Sequence, residues 1–85
     1  MKSIVCVKDT AAMVFGQPFV VQHVAQAVRS LRDEVNSKES SSDVAKHPDD
    51  FDLYELASFD EDTGIVSVEG FPKFVVRVKD LRLPE

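Results

Sequence analysis

The stretch Pro48-Asp49-Asp50-Phe51-Asp52-Leu53-Tyr54-Glu55-Leu56-Ala57-Ser58-Phe59-Asp60-Glu61-Asp62-Thr63-Gly64 decides how this chain is read. Phe51, Leu53, Ala57 and Phe59 recur at even spacing, so an extended chain would place them on one face. Asp60-Glu61-Asp62-Thr63-Gly64 then reads as a hairpin loop. Asp60 is suited to accept from backbone amides ahead of it, and Gly64 to take the positive φ that closes a type I turn with a bulge. Ile65-Val66-Ser67-Val68 returns as the partner strand. The stretch supplies apolar anchors and turn chemistry, but no catalytic constellation.

Working outward, Ser3–Val7 is a β-branched run with apolar residues on both faces, as an interior strand requires. Asp9-Thr10-Ala11-Ala12 is a turn. Phe19-Val20-Val21-Gln22 follows Pro18 as a second strand, with the proline confined to its start or to an edge. From residue 23 the period changes. Val24, Val28, Leu31 and Val35, widened by Ala27, form one stripe on a helix predicted over about residues 23–36, with Asn36 as its stop. Residues 37–47 form a polar, serine-rich loop without periodicity, expected to be mobile. Beyond the Phe51–Val68 hairpin, Gly70-Phe71-Pro72 marks a turn and Phe74–Val78 a last strand. The predicted order is β-β-α-β-β-β. It implies an α+β class, with a small antiparallel sheet of four to five strands and one helix packed on a face.

Eighty-five residues make one domain, 1–85. A domain this small buries only about 60–65% of its unfolded surface, so self-association into a homodimer would help to cover apolar area. One cysteine, Cys6, excludes an internal disulfide framework and is read as a buried small hydrophobe. No signal peptide or membrane-spanning run is visible, which points to a cytosolic protein. No glycine-rich phosphate loop and no Cys/His metal set is present. The loop Asp60-Glu61-Asp62 lacks the spacing of a calcium loop. No metal, cofactor or enzymatic activity is therefore expected.

Charge is segregated along the chain. The net charge is −5, yet residues 43–64 hold one Lys against eight Asp or Glu, leaving nine Lys or Arg against seven elsewhere. The last strand carries a potential basic row. Under period-two alternation Lys73, Val75, Arg77 and Lys79 would share one face, while Phe74, Val76 and Val78 enter the core. Arg82 would extend the row, Lys2 or Lys8 would join it if strand pairing allowed, and Arg29 and Arg32 offer further cations on the helix. With an exposed ring among Phe15, Phe19, Phe71 or Tyr54, such a row suits a single strand of nucleic acid. The bland alternative is an edge strand charged against aggregation.

Several of these residues also resemble a known family. Pro48, Asp49, Asp50, Phe51, Leu53, Tyr54, Leu56, Phe59, Asp60, Thr63 and Gly64 are similar to the signature of the small nonstructural protein of gokushovirus-type microviruses, which are phages with single-stranded DNA genomes. Upstream, Pro18-Phe19, Gln22 and Ala27-Val28-Arg29 match its Pro-Phe, Gln-Asn and helix-start elements. Ala57 stands where the family has Gly, and His23 where it has Asn; the likeness spans about residues 2–68. The resemblance implies a non-enzymatic phage accessory protein in the host bacterial cytoplasm. It further implies single-stranded DNA as a partner in genome replication or packaging. On the residues themselves, such binding would rest on Lys73, Arg77 and Lys79, with Arg82, Arg29 and Arg32 as further cations. The other expected class of partner is a viral capsid or scaffold protein or a host replication protein. It would be met by an acidic face around Asp49, Asp50, Asp52, Asp60, Glu61 and Asp62.

Overall fold

The computed structural model describes residues 1–84, and two long antiparallel strands organise it. β1 (Lys2–Asp9) and β4 (Phe51–Asp60) pair along their whole length. The outer side of β1 is shared by β2 (Val14–Phe15) and β3 (Phe19–Val21), and that of β4 by β5 (Ile65–Ser67) and β6 (Lys73–Arg77). The result is a six-stranded antiparallel sheet of the α+β class. The expected order is corrected by one element. Residues 14–15, read as a connection, pair with Lys8 and Asp9 to make β2.

The helix α1 (Val24–Val35) forms where the stripe places it and packs on one side of the sheet. Ala27, Leu31 and Val35 are buried against Val5, Val21 and Leu53, with Val24 and Val28 alongside. Twelve residues are too few to stay helical alone. Burial of a side chain such as Leu31 or Leu53, at about 1.5–3 kcal/mol each, supplies what the isolated segment lacks. Asn36 ends the helix and also fastens the C-terminal segment. Its Nδ2 donates to the Arg32 and Leu81 carbonyls at 2.8 and 2.9 Å, and its Oδ1 accepts from the Leu83 amide at 2.8 Å.

The serine-rich segment is more structured than its composition suggests. Residues Asp43–Lys46 form a short helix, α2. Ser42 caps it, accepting from the Ala45 amide at 3.2 Å while donating to Glu34 Oε2 of α1 at 2.6 Å. The Asp60–Gly64 loop closes as its chemistry dictates. The Gly64 amide donates to the Asp60 carbonyl at 2.7 Å, Asp60 Oδ1 accepts from the Asp62 amide at 3.0 Å, and Gly64 has φ 76°. The Phe71–Pro72 bond is cis. No described helix is long and apolar enough to cross a membrane.

One expectation about β4 is overturned by a bulge. Ile4 lies opposite Ala57 and Val5 opposite Glu55, so Leu56 is the extra residue on β4. Directly opposed side chains share a face. Phe51 and Leu53 therefore lie on the helix side, with Val7 and Val5. Ala57 and Phe59, opposite Ile4 and Lys2, lie on the other side. The four residues do not share one face, because a single inserted residue inverts the parity of everything after it.

Candidate functional site

The side of the sheet away from α1 is uncovered, and its composition follows from the register. Along β1, Lys2, Ile4, Cys6 and Lys8 point there, since Val5 and Val7 face the helix. Asp52 and Tyr54 of β4 lie opposite Lys8 and Cys6. Phe15 of β2 lies opposite Lys8, and Phe74 of β6 opposite Tyr54. Three aromatic rings thus meet on one surface. Phe15 and Tyr54 have centroids 5.2 Å apart, and Tyr54 and Phe74 5.8 Å apart, both edge to face. Phe15 reaches Tyr54 across β1, where the small Cys6 leaves the space.

Phe15 and Phe74 remain 40% and 54% exposed, and Tyr54 is half-buried. Lys8 Nζ stands 5.3 Å from the Phe15 centroid and 5.9 Å from that of Tyr54. Arg77, opposite Asp52, closes the other end of the row and is exposed. Asp52 lies in register between Lys8 and Arg77, yet neither cation forms an ion pair with a described residue. Lys2, further along β1, pairs with Glu61 at 3.2 Å. The surface therefore offers flat rings, flanking cations and one carboxylate.

Cys6 beneath the rings is fully buried, and its Sγ donates to the Gly16 carbonyl at 3.1 Å. Burial raises its thiol pKa above the ordinary value, and the bond to Gly16 partly opposes that. Gly16 lies close against β1: its amide donates to the Val7 carbonyl at 2.9 Å, and a Cβ would stand 3.2 Å from that oxygen, a tight contact. Cys6 is therefore packing material that lets the rings converge.

The basic row expected on the last strand is not formed. Leu53 pairs with Val76 and Tyr54 with Phe74, so Val75 is an extra residue in β6. This second bulge sends Lys73, opposite Glu55, to the helix side and Arg77 to the uncovered side. Phe74, expected in the core, lies on the uncovered side, while Val75 and Val76 both pack toward the core. Lys79 falls in a 3-10 turn over Val78–Leu81, whose Val78 and Leu81 are buried anchors. Arg82 follows that turn. Arg29 and Arg32 are exposed on α1, across the sheet from the rings. Lys73 Nζ instead sits 4.6 Å from the Phe71 centroid. Of the six cations predicted, only Arg77 joins the aromatic surface. Lys8, Phe15 and Tyr54, anticipated as accessories, and Phe74 are its other principal members.

The expected acidic face is also divided. Asp49 and Asp50 precede β4, and Asp60, Glu61 and Asp62 end it, ten residues away at about 3.3 Å per residue. Asp52 belongs to the aromatic surface. A cleft of about 500 Å³ lies between β1, β2 and α2, lined by Val7, Val14, Val44 and Phe51 with Asp9 and Asp43 among its polar residues, and it shares Phe15 with the aromatic row.

Comparison with known families matches residues 2–81 to a family model described as Phage ORF5 protein. No curated protein and no solved structure matches the chain.

Proposed function

Since the chain belongs to the Phage ORF5 protein family, we propose that this phage protein binds single-stranded DNA across the uncovered face of its sheet, with little sequence preference. The row Phe15–Tyr54–Phe74 between Lys8 and Arg77 carries the reading. Every base has a π-face, so exposed rings are sequence-tolerant platforms, while cations at their margin track phosphates. Lys8 Nζ lies near two of the rings. An incoming base would displace its Nζ toward the backbone.

The residues similar to the gokushovirus-type nonstructural protein supply the genome: a phage that replicates through duplex and packages a single strand needs a protein that holds the strand between those steps. The proposed role is therefore accessory, in the host cytoplasm during replication or packaging, and it involves binding rather than catalysis. Charge sets the expected strength. The chain's net charge is −5, and two cations, Lys8 and Arg77, border the rings. Stacking must then contribute much of the affinity, with a shallow salt dependence of about −0.7 in log K per phosphate neutralised.

The test is fluorescence anisotropy of labelled oligo-dT, titrated with protein at several salt concentrations. Binding that weakens gently as salt rises, and is lost in a Tyr54→Ala/Phe74→Ala double variant that still folds, supports the reading. No binding at low salt, or equal binding by the double variant, overturns it.

A further inference from the structure

The two edge strands beside β4 are protected very differently. β6 follows Pro72 and carries Lys73 and Arg77, devices that keep a sheet edge from recruiting another strand. β5 is blunted only by its three-residue length. Ile65, Val66, Ser67 and the following Val68 contain no charge, proline or glycine, and Ile65, Val66 and Val68 are 61%, 49% and 65% exposed. β5 pairs with β4 through Asp60, Phe59 and Ser58, and no described strand occupies its other edge. Val66 shares the uncovered face with Phe59, and Ile65 points to the opposite side, which is also exposed at this end of the sheet. An apolar edge open on both faces and along its backbone is suited to receive an extended chain.

The charges at its ends select which chain. Glu61 and Asp62 stand before Ile65, and Glu69 stands after Val68. Glu61 is engaged by Lys2, whereas Asp62 and Glu69 are exposed and form no ion pair with a described residue. A second copy of β5 added antiparallel would bring Glu69 of each chain toward the Asp62 end of the other, and two chains of net charge −5 together. Like charges facing across a strand pair oppose that arrangement. An extended segment with cations at both ends meets both carboxylates instead.

We propose that the free edge of β5 is a docking site for an extended, lysine- or arginine-flanked segment of a partner protein, bound by strand addition. The proposal does not rest on the DNA reading, because it uses the backbone edge of β5 rather than the aromatic row and the opposite sign of charge. The probe is a labelled eight-residue peptide of alternating valine and threonine with two lysines at each end. It is compared with a glutamate-flanked version and with one whose threonines are replaced by proline.

The lysine-flanked peptide is expected to bind at least tenfold more tightly than either control. An Asp62→Lys/Glu69→Lys variant should lose that preference while binding oligo-dT no less well than the parent, since both changes lie in exposed turns. Equal binding of the proline peptide would show charge without strand pairing and overturn the proposal. So would a charge-reversed variant that binds unchanged. Sedimentation that shows a dimer dissolved by Ile65→Lys would assign the edge to a second copy of this chain and overturn it as well.

Discussion

Leu53 and Tyr54 are neighbours in the chain and belong to two different surfaces. Leu53 is fully buried beneath α1 among Val5, Leu31 and Val78, while Tyr54 lies half-buried on the bare side between Phe15 and Phe74. The same pair of strands builds both faces from alternate residues. The helix side is aliphatic and filled, as a core must be. The bare side places large rings and cations where no described helix covers them. Scattered exposed apolar residues are ordinary, but rings gathered in contact on one face are the pattern expected of a binding surface. One face answers to folding, and the other is the surface on which the proposed binding would take place.

The sharpest way to break this comparison is to truncate each neighbour in turn. Leu53→Ala leaves a cavity in the core and is expected to cost about 2–5 kcal/mol, read as a lowered midpoint in urea unfolding. For a domain this small that is a large share of its total stability. Tyr54→Ala removes a half-buried ring and two edge-to-face contacts, worth about 0.5–1.5 kcal/mol each beyond area burial. Its stability loss should be the smaller of the two. If Tyr54→Ala proves the more destabilising change, the bare face is structural and the contrast fails.

Binding should invert that ranking. Tyr54→Ala and Phe74→Ala are each expected to weaken oligo-dT binding by about 1–3 kcal/mol, roughly five- to 150-fold, as loss of a stacking platform requires. Phe74 is the cleaner test because it is 54% exposed, so its removal disturbs the fold least. On the helix side, conservative Leu31→Met should leave oligo-dT affinity unchanged within error in the same titration.

Next come the cations, where the two faces can be separated within one strand. Arg77→Gln is expected to reduce affinity about fivefold at 0.1 M salt and to flatten the salt slope by about 0.7, the effect of one phosphate contact. Lys73→Gln, four residues earlier but across the sheet, should change neither. Equal effects from both would restore the simple alternation and remove the bulge at Val75 from the argument.

That pair also marks where the sequence is legible and where it is not. The Asp60–Gly64 loop and the α1 stripe are readable because their determinants are local: a carboxylate two residues from the amide it accepts, a glycine at φ 76°, apolar residues at helical spacing. The bulges at Leu56 and Val75 are not readable. Neither residue is a glycine or proline, and each exists only through pairing with a distant strand. Each inverts the parity beyond it, which hid Phe74 from the surface and split Lys73 from Arg77. β2 was hidden for a different reason. Asp9 Oδ1 accepts from the Ala11 and Ala12 amides, much as Asp60 begins its loop, but the positive-φ position falls on Met13, at φ 57°. The turn itself is read at Asp9–Ala12, but without a glycine nothing marks it as a hairpin with a strand to follow. The serine-rich segment conceals α2 because its cap, Ser42, is one serine among several and its partner Glu34 lies on another helix.

The smallest effect concerns the carboxylate beside the rings. Asp52 sits in register between Lys8 and Arg77 without closing an ion pair to either, so it contributes little to stability and lowers the local positive potential. Asp52→Asn keeps the shape and removes the charge. At a separation of about 8 Å in water one unit charge is worth about 0.5 kcal/mol, so oligo-dT affinity should rise about twofold at low salt. The gain should disappear near 1 M salt, where screening shortens to about 3 Å. Stability by urea unfolding should move by less than about 0.5 kcal/mol, as for surface substitutions in general. A rise in affinity confined to low salt would mean that Asp52 restrains the binding face electrostatically. A loss would mean that it positions Lys8 or Arg77, and the cations would then act as one arranged unit with it.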